Sequence, residues 1–128
     1  MFNPTGAFSG FSVSDLAQAK AFYGQTLGLQ LQEEMNGLRL MLPGGGQVFI
    51  YPKPDHTPAT YTVLNFQVTS VEAAVDTLTG RGVAFEHYDS LEGARTDAKG
   101  IARDPRGPTI AWFKDPAGNF LSVIQLPG

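Results

Sequence analysis

Few side chains in this sequence are suited to chemistry. Cysteine is absent, which excludes disulfides, thiolate nucleophiles and cysteine metal ligands. The two histidines, His56 and His87, lie far apart in the chain. Glu86 is adjacent to His87, but neighbouring residues of a strand point to opposite faces, so we do not expect them to converge on a metal. The pattern favours two surface or rim histidines over a metal centre.

Motifs for covalent and phosphate chemistry are missing. No Gly-x-Ser-x-Gly nucleophile elbow is present, so a serine-based triad has no support. The glycine run at residues 44–46 is not followed by the Lys-Ser/Thr of a phosphate loop, and we interpret it as the tip of a hairpin. No catalytic residue can therefore be assigned, and catalysis remains unknown at this point.

Length and charge limit the class of protein. A chain of 128 residues with a formal charge of −3 and scattered basic residues has no electrostatic footprint for nucleic acid or for an anionic membrane. No apolar run reaches the roughly 18 residues of a membrane span, and the first residues lack the features of a signal peptide. We expect one cytoplasmic domain at 1–128, with a first module at about 6–51, a connector at 52–60 and a second module at about 61–126.

An internal repeat organises the chain. Residues 11–19 can be aligned with residues 66–74, and in each copy an alternating strand runs into the Ser/Thr/Asp cluster of a helix N-cap. Apolar residues then recur at helical spacing, and the two helices are expected to end at Gly28 and Gly82. In the second copy, Thr69 and Glu72 have the spacing of a capping box.

Short strands follow each helix. We predict them at residues 29–33, 37–42 and 47–51 in the first half and at 83–88, 110–114 and 119–125 in the second. Residues 115–118, Asp-Pro-Ala-Gly, have the composition of a turn between the last two strands. Residues 89–108 form a polar stretch too long for a simple turn. Within it, the charged run 92–100 is either a lid over a cleft or a solvated loop.

The chain resembles the vicinal oxygen chelate superfamily, which includes glyoxalase I, extradiol dioxygenases, fosfomycin-modifying transferases and bleomycin resistance proteins. The resemblance lies in the segments Ser14-Asp15-Leu16, Ala21-Phe22-Tyr23 and Leu27-Gly28-Leu29 and in the closing Asp115-Pro116-Ala117-Gly118-Asn119. It implies an α+β fold of two tandem βαβββ modules that form a curved mixed sheet with helices on its convex side. Because this fold supports many reactions, the resemblance does not identify one.

The resemblance also implies where a divalent metal would bind. The superfamily's His and Glu ligands map onto Phe8, Val63 and Ser122, with a further position at Phe49 or Tyr51. Phenyl and isopropyl groups cannot donate a lone pair, and a serine hydroxyl is a poor lone ligand for zinc, iron or nickel. We expect no cofactor and no metal at the usual place, and a divalent metal held by displaced ligands remains the alternative.

Strand alternation predicts the residues that face the cleft once those positions define the inward face. We expect a largely aromatic site with a few amides and hydroxyls, unless the aromatic side chains fill the space as core. Arg39 either pairs with a ligand carboxylate or phosphate, or it points outward on the convex face or forms a salt bridge. The candidate ligand-binding residues are Phe8, Ser12, Arg39, Phe49, Tyr51, Val63, Asn65, Gln67, Trp112 and Ser122.

Two functional classes remain. The first is a binder of a small organic molecule with a metal-free, aromatic-lined cleft, similar to the bleomycin resistance proteins. The second is a lyase, isomerase or dioxygenase-type enzyme of the same superfamily, either cofactor-free or with displaced metal ligands. We also expect a homodimer, because strand edges would otherwise stay exposed and the superfamily's members of this length pair their modules across subunits.

Overall fold

The computed structural model describes residues 1–89, 95–105 and 107–127 of the chain. The chain divides into two compact units, Met1–Pro58 and Ala59–Gly128, so the division falls inside the predicted connector. Each unit contains a four-stranded mixed sheet and a helical segment, which confirms the predicted α+β class.

The two units share one topology. The first contains β1 (Ser9–Val13), α1 (Leu16–Ala21), a π-helical turn (Phe22–Thr26), β2 (Gln30–Glu34), β3 (Gly37–Met41) and β4 (Gln47–Pro52). The second contains β5 (Thr62–Gln67), α2 (Val71–Gly80), β6 (Ile101–Arg103), β7 (Thr109–Lys114) and β8 (Phe120–Gln125). The sheet orders are β1-β4-β3-β2 and β5-β8-β7-β6, and in each the first strand runs parallel to the last. The same order in both sheets confirms the repeat.

Equivalent side chains begin the two helices. The carboxylate of Asp15 accepts the Gln18 N–H at 3.0 Å, and the hydroxyl of Ser70 accepts the Ala73 N–H at 3.1 Å. The predicted capping box at Thr69 is wrong, because Ser70 is the N-cap and the position three residues later is occupied by an alanine.

The glycines at the helix ends behave as predicted. Gly28 and Gly82 have φ values of 73° and 93°, the left-handed conformation expected after a helix. The first helix differs in one respect, since its last turn, Phe22–Thr26, widens into a π-helix.

One face of each sheet carries the core. In the first sheet, alternate residues of β1, β3 and β4 are buried on the side of the helical segment, where Tyr23 is fully buried against Phe11. In the second sheet, β7 and β8 bury Phe113, Leu121 and Val123, and α2 packs against these two strands. The other side chains lie on what we call the helix-free face of each sheet.

The second sheet differs from the prediction at its edge. Residues 83–88 do not form a strand, and only Phe85 makes an isolated bridge, to Phe113. The edge position beside β7 is taken by β6, which lies in the stretch predicted as a loop. The Glu86 N–H donates to the Trp112 carbonyl at 2.8 Å, so the segment before β6 covers one end of β7 while β6 covers the other.

Two turns of the second unit with the sequence Asp-x-x-Gly, those at Asp97 and Asp115, make the same hydrogen bonds. The N–H of Asp115 donates to the Asn119 carbonyl at 3.0 Å, and one carboxylate oxygen of Asp115 accepts the N–H groups of Ala117 and Asn119 at 2.9 Å each. Asp97 makes the same bonds with Lys99 and Ile101. Both turns contain a glycine with positive φ at the fourth position.

The Asp97 turn connects part of the predicted lid to β6. Residues 92–94 of that predicted segment lie outside the described residues, while residues 97–100 form this turn. Partial burial alone raises the pKa of Asp97, but hydrogen bonds from the Ile101 N–H, Arg103 and the Lys99 N–H outweigh it and hold the pKa below its usual value. The ionised carboxylate is therefore the form that stabilises the turn.

Replacing Asp97 with alanine should lower the free energy of unfolding by about 1 kcal/mol at neutral pH, because two backbone N–H groups lose their acceptor. A folded-state pKa below the unfolded one gives stability that is present above the unfolded pKa and is lost as the pH falls through the folded one. Urea denaturation should therefore show the difference between wild type and Asp97→Ala shrinking below about pH 4.

The control for this experiment is Asp89→Ala, which removes an exposed aspartate outside the turn. A difference between wild type and Asp97→Ala that stays constant down to acidic pH would contradict the assignment.

Candidate functional site

The helix-free face of the first sheet carries a stacked aromatic pair. The rings of Phe49 and Tyr51, two residues apart on β4, are 6.3 Å apart and nearly parallel, at 18°. The Phe49 ring lies over Gly37 on β3, where an added Cβ would be 2.5 Å from the ring Cζ. Only glycine fits beneath this ring, so the sequence at Gly37 allows Phe49 to lie against the sheet.

Arg39 is held by neighbours within the first unit. Its Nε donates to Glu34 Oε1 at 2.7 Å, a terminal nitrogen contacts the same oxygen, and the other donates to Gln47 at 2.7 Å. The guanidinium carbon also lies 5.7 Å from the ring centre of Phe8. The hydrogen bond to Glu34 raises the pKa of Arg39 above its usual value. Of the alternatives considered for Arg39, the structure shows the salt bridge, with Glu34 as the partner.

Ser12 bonds to a histidine from the connector. The Ser12 hydroxyl and Nδ1 of His56 are 2.7 Å apart, and His56 is half-buried. Nucleophilic catalysis would need, beyond such a pair, a group that orients the imidazole and donors for an oxyanion. The bond ties the connector to β1, a contact between residues far apart in sequence that local pattern does not predict.

The residues that stand at the superfamily's metal positions do not fit a divalent metal. Phe8 and Val63 carry no donor atom, and the fully buried Ser122 donates its hydroxyl to the Asn65 side-chain oxygen. Across residues 1–89, 95–105 and 107–127, no three His, Asp or Glu side chains are grouped so that they could hold a metal ion. The donor set therefore supports no metal-dependent step.

A bulge adjusts the helix-free face of the second sheet. Thr62 pairs with Phe120 and Leu64 with Leu121, so Val63 is an extra residue between them. Asn65 and Gln67 pair with Ser122 and Ile124 and share their face. Thr62 thus occupies the position beside Phe120, and Val63 is absent from the pockets described next.

Trp112 lines two pockets on the second unit. The first, which we call the aromatic pocket, has a volume of about 170 Å³. The Tyr88 ring meets the Trp112 ring edge-to-face, with centres 5.8 Å apart. The remaining lining residues are Thr60, Tyr61, Thr62 and Phe120. Of the ligand-binding residues predicted from the sequence, Trp112 is the one that lines this pocket. Tyr88 and Tyr61 were not predicted, because they belong to segments whose path depends on tertiary contacts.

The second pocket carries charge, and we call it the basic pocket. Its volume is about 340 Å³. It shares Trp112 with the aromatic pocket and continues along β7 to Ile110. The other lining residues are Arg95, Ala102, Arg103, Asp104, Pro105 and Pro108. Arg95 belongs to the charged run 92–100, for which the sequence left open a lid over the cleft or a solvated loop. No sequence pattern singled out the other residues, since they lie in the stretch predicted as a loop.

Polar groups border the aromatic pocket. The Tyr88 hydroxyl donates to Glu86 Oε1 at 3.3 Å, and the Lys114 ammonium lies 3.9 Å from that same oxygen and 4.9 Å from the Phe120 ring centre. Burial, followed by the charge of Glu86 and the hydrogen bond to it, raises the pKa of Tyr88. Tyr88 is therefore a neutral hydrogen-bonding group at physiological pH.

The contact between Tyr88 and Trp112 can be measured, because Trp112 is the single tryptophan of the chain. Ionised tyrosine quenches a neighbouring indole, so an alkaline titration of tryptophan fluorescence should show a quenching step above the usual tyrosine pKa of about 10. Tyr88→Phe should remove this step. The prediction is wrong if the step occurs at or below the usual value, or if it persists unchanged in Tyr88→Phe.

Comparison with known proteins agrees with this architecture. TnmS3, an antibiotic binding protein from Streptomyces sp. CB03234, is 24% identical with a TM-score of 0.68, over 98% of this chain and 100% of that one. A superfamily member from Sphaerobacter thermophilus is 24% identical with a TM-score of 0.68, over 94% and 97%. The fosfomycin resistance protein FosX from Listeria monocytogenes is 14% identical with a TM-score of 0.71, over 97% and 94%.

These likenesses show the fold. No curated protein matches the chain. No helix in the described parts of the chain is long and apolar enough to span a membrane.

The model of the Glyoxalase/Bleomycin resistance protein/Dioxygenase superfamily matches residues 7–123, nearly the whole sequence. The chain therefore belongs to this superfamily, as its resemblance to the vicinal oxygen chelate proteins implied.

Proposed function

We propose that this protein binds a small, partly aromatic organic molecule at Trp112, on the helix-free face of its second sheet. The observation that carries the proposal is that a half-buried tryptophan forms a wall shared by two pockets. Ligand sites are mostly apolar, with a few polar groups that orient the ligand. Around Trp112, aromatic rings supply the apolar surface, while threonine and tyrosine hydroxyls and charged side chains supply the polar groups.

The geometry favours a ligand with a planar part. Trp112 and Tyr88 hold each other edge-to-face, so both rings are positioned before a ligand arrives. The aromatic pocket alone is smaller than a usual ligand site of roughly 300–1,000 Å³, but the basic pocket, which Trp112 also lines, extends the available space. A ligand that uses both would contact the indole along its length.

Chemistry at the superfamily's metal positions supports a binding role over a metal-dependent reaction. The donors that such a reaction would need are replaced by Phe8, Val63 and Ser122. Among proteins of similar fold, TnmS3 is named as an antibiotic binding protein. That name supports the proposal for this chain without identifying its ligand.

The proposal can be tested with a panel of neutral aromatic amides of increasing ring number, namely benzamide, naphthamide and anthracene carboxamide. At least one should change the fluorescence of Trp112 in a saturable manner. Tyr61→Ala should weaken its binding about 5- to 30-fold in calorimetry, since one aromatic wall of the pocket is lost. Tyr61 is 69% exposed, so the substitution should leave the fold intact.

Phe2→Ala is the matched control, because Phe2 is 89% exposed and belongs to the other unit. It should bind the panel as wild type does. If no amide of the panel perturbs Trp112, or if Tyr61→Ala binds as tightly as Phe2→Ala, the site proposed here is incorrect.

A further inference from the structure

We infer that the ligand of this site is a small aromatic acid, whose ring contacts Trp112 and whose anionic group is bound by Arg95 in the basic pocket. The inference rests on the proposed function, because it assigns a chemical class to the ligand of the same site. It is drawn from how the basic side chains of the chain are paired.

Most basic side chains of this protein already have a carboxylate partner. Around the two helix-free faces, Arg39 pairs with Glu34 and Lys114 with Glu86. Elsewhere, Lys20 pairs with Glu33, Lys53 with Asp55, Lys99 with Glu72 and Asp76, and Arg103 with Asp97. An acidic chain with 12 carboxylate side chains for 9 basic ones has enough partners for such pairing.

Arg95 is different. It lines the basic pocket and is exposed, and its guanidinium pairs with no carboxylate among residues 1–89, 95–105 and 107–127. Its backbone is anchored by a bridge to Asp89. A guanidinium presents parallel N–H donors that match a carboxylate in a two-bond arrangement. Arg95 is therefore positioned as a cation available to an anionic ligand.

The other charged residues that line the pocket in the described part of the chain, Arg103 and Asp104, are less suited than Arg95 to bind an anion. Arg103 also lines the pocket, but its guanidinium is held by Asp97, whose carboxylate in turn anchors the turn before β6. Asp104 lines the pocket as well, so an anion would bind on the side of Arg95, away from that carboxylate. An anion at Arg95 would not need to break an ion pair with any carboxylate in the described part of the chain.

The apolar wall of the pocket selects the rest of the ligand. Trp112, Ile110 and the two prolines, Pro105 and Pro108, provide a surface that suits a flat ring and offers it little hydrogen bonding. A free inorganic anion would gain the contact with Arg95 without covering this surface. The combination of the Arg95 cation with an aromatic and aliphatic wall fits an aromatic acid.

The test compares naphthoate with naphthamide of the same ring attachment, a pair that differs in charge at nearly equal shape. Calorimetry on the full-length protein should show naphthoate binding about three- to ten-fold more tightly, the range for a charged contact at a partly exposed site. The preference should shrink as salt is added, because exposed charges are screened. In Arg95→Gln, the two ligands should bind equally.

Arg81→Gln is the matched control, because it removes the same charge from the C-cap of α2, outside both pockets. It should retain the preference for naphthoate. Equal affinities in wild type, or a preference that survives in Arg95→Gln, would overturn the inference while naphthamide binding still supports the proposed site. Failure of naphthoate and of every amide of the panel to bind would overturn the proposed function together with this inference, whereas failure of naphthoate alone would overturn only the inference.

Discussion

The first and last strands of each unit lie side by side and run parallel, and this pairing determines the faces on which the remaining side chains lie. Parallel neighbours cannot be joined by a tight turn, and in each unit a helical segment and two strands lie between them in the chain. The helical segment covers one face and buries the alternate apolar residues of the sheet. Ser12 and Tyr51 in the first unit, and Asn65 and Ser122 in the second, are then register partners on the helix-free face.

Much of the fold could be predicted from the sequence, because the faces of the strands and the ends of the helices follow local patterns. Alternation in β1 places Phe11 and Val13 in the core, and the helix caps recur at equivalent positions, Asp15 and Ser70. Each of these features depends on residues close together in the chain. The strand at the edge of the second sheet could not be found in this way, because β6 has three residues and its pairing depends on β7, which follows it.

A local signal for β6 was nevertheless present in the sequence. The turn at Asp115 was identified from its proline and glycine, whereas the turn at Asp97 has alanine and lysine between the aspartate and the glycine. Both aspartates accept the same two backbone N–H groups, so the carboxylate and the positive-φ glycine define the turn and proline is dispensable. An Asp-x-x-Gly pattern before an apolar residue would have predicted the start of a strand at Ile101.

The residues of the candidate site could be predicted only where they lie on strands whose side chains alternate between two faces. Trp112 on β7 was predicted from strand alternation, whereas Tyr88, Tyr61 and Arg95 line the pockets from segments that have no regular hydrophobic period. The same distinction applies to charge. Arg39 stood out as an inward cation, yet Glu34 across the hairpin neutralises it, and pairing of this kind is visible only in three dimensions.

Ser122 occupies a position that the resemblance assigns to a metal ligand, and it orients a neighbouring amide there. Its hydroxyl is fully buried and donates to the side-chain oxygen of Asn65. Because that oxygen is the acceptor, the amide nitrogen of the exposed Asn65 is the end that can donate to a molecule on the helix-free face. The position that the resemblance assigns to a metal ligand therefore holds a hydroxyl that orients a neutral donor, and the Asn65 amide is a hydrogen-bond donor on the helix-free face of the second sheet.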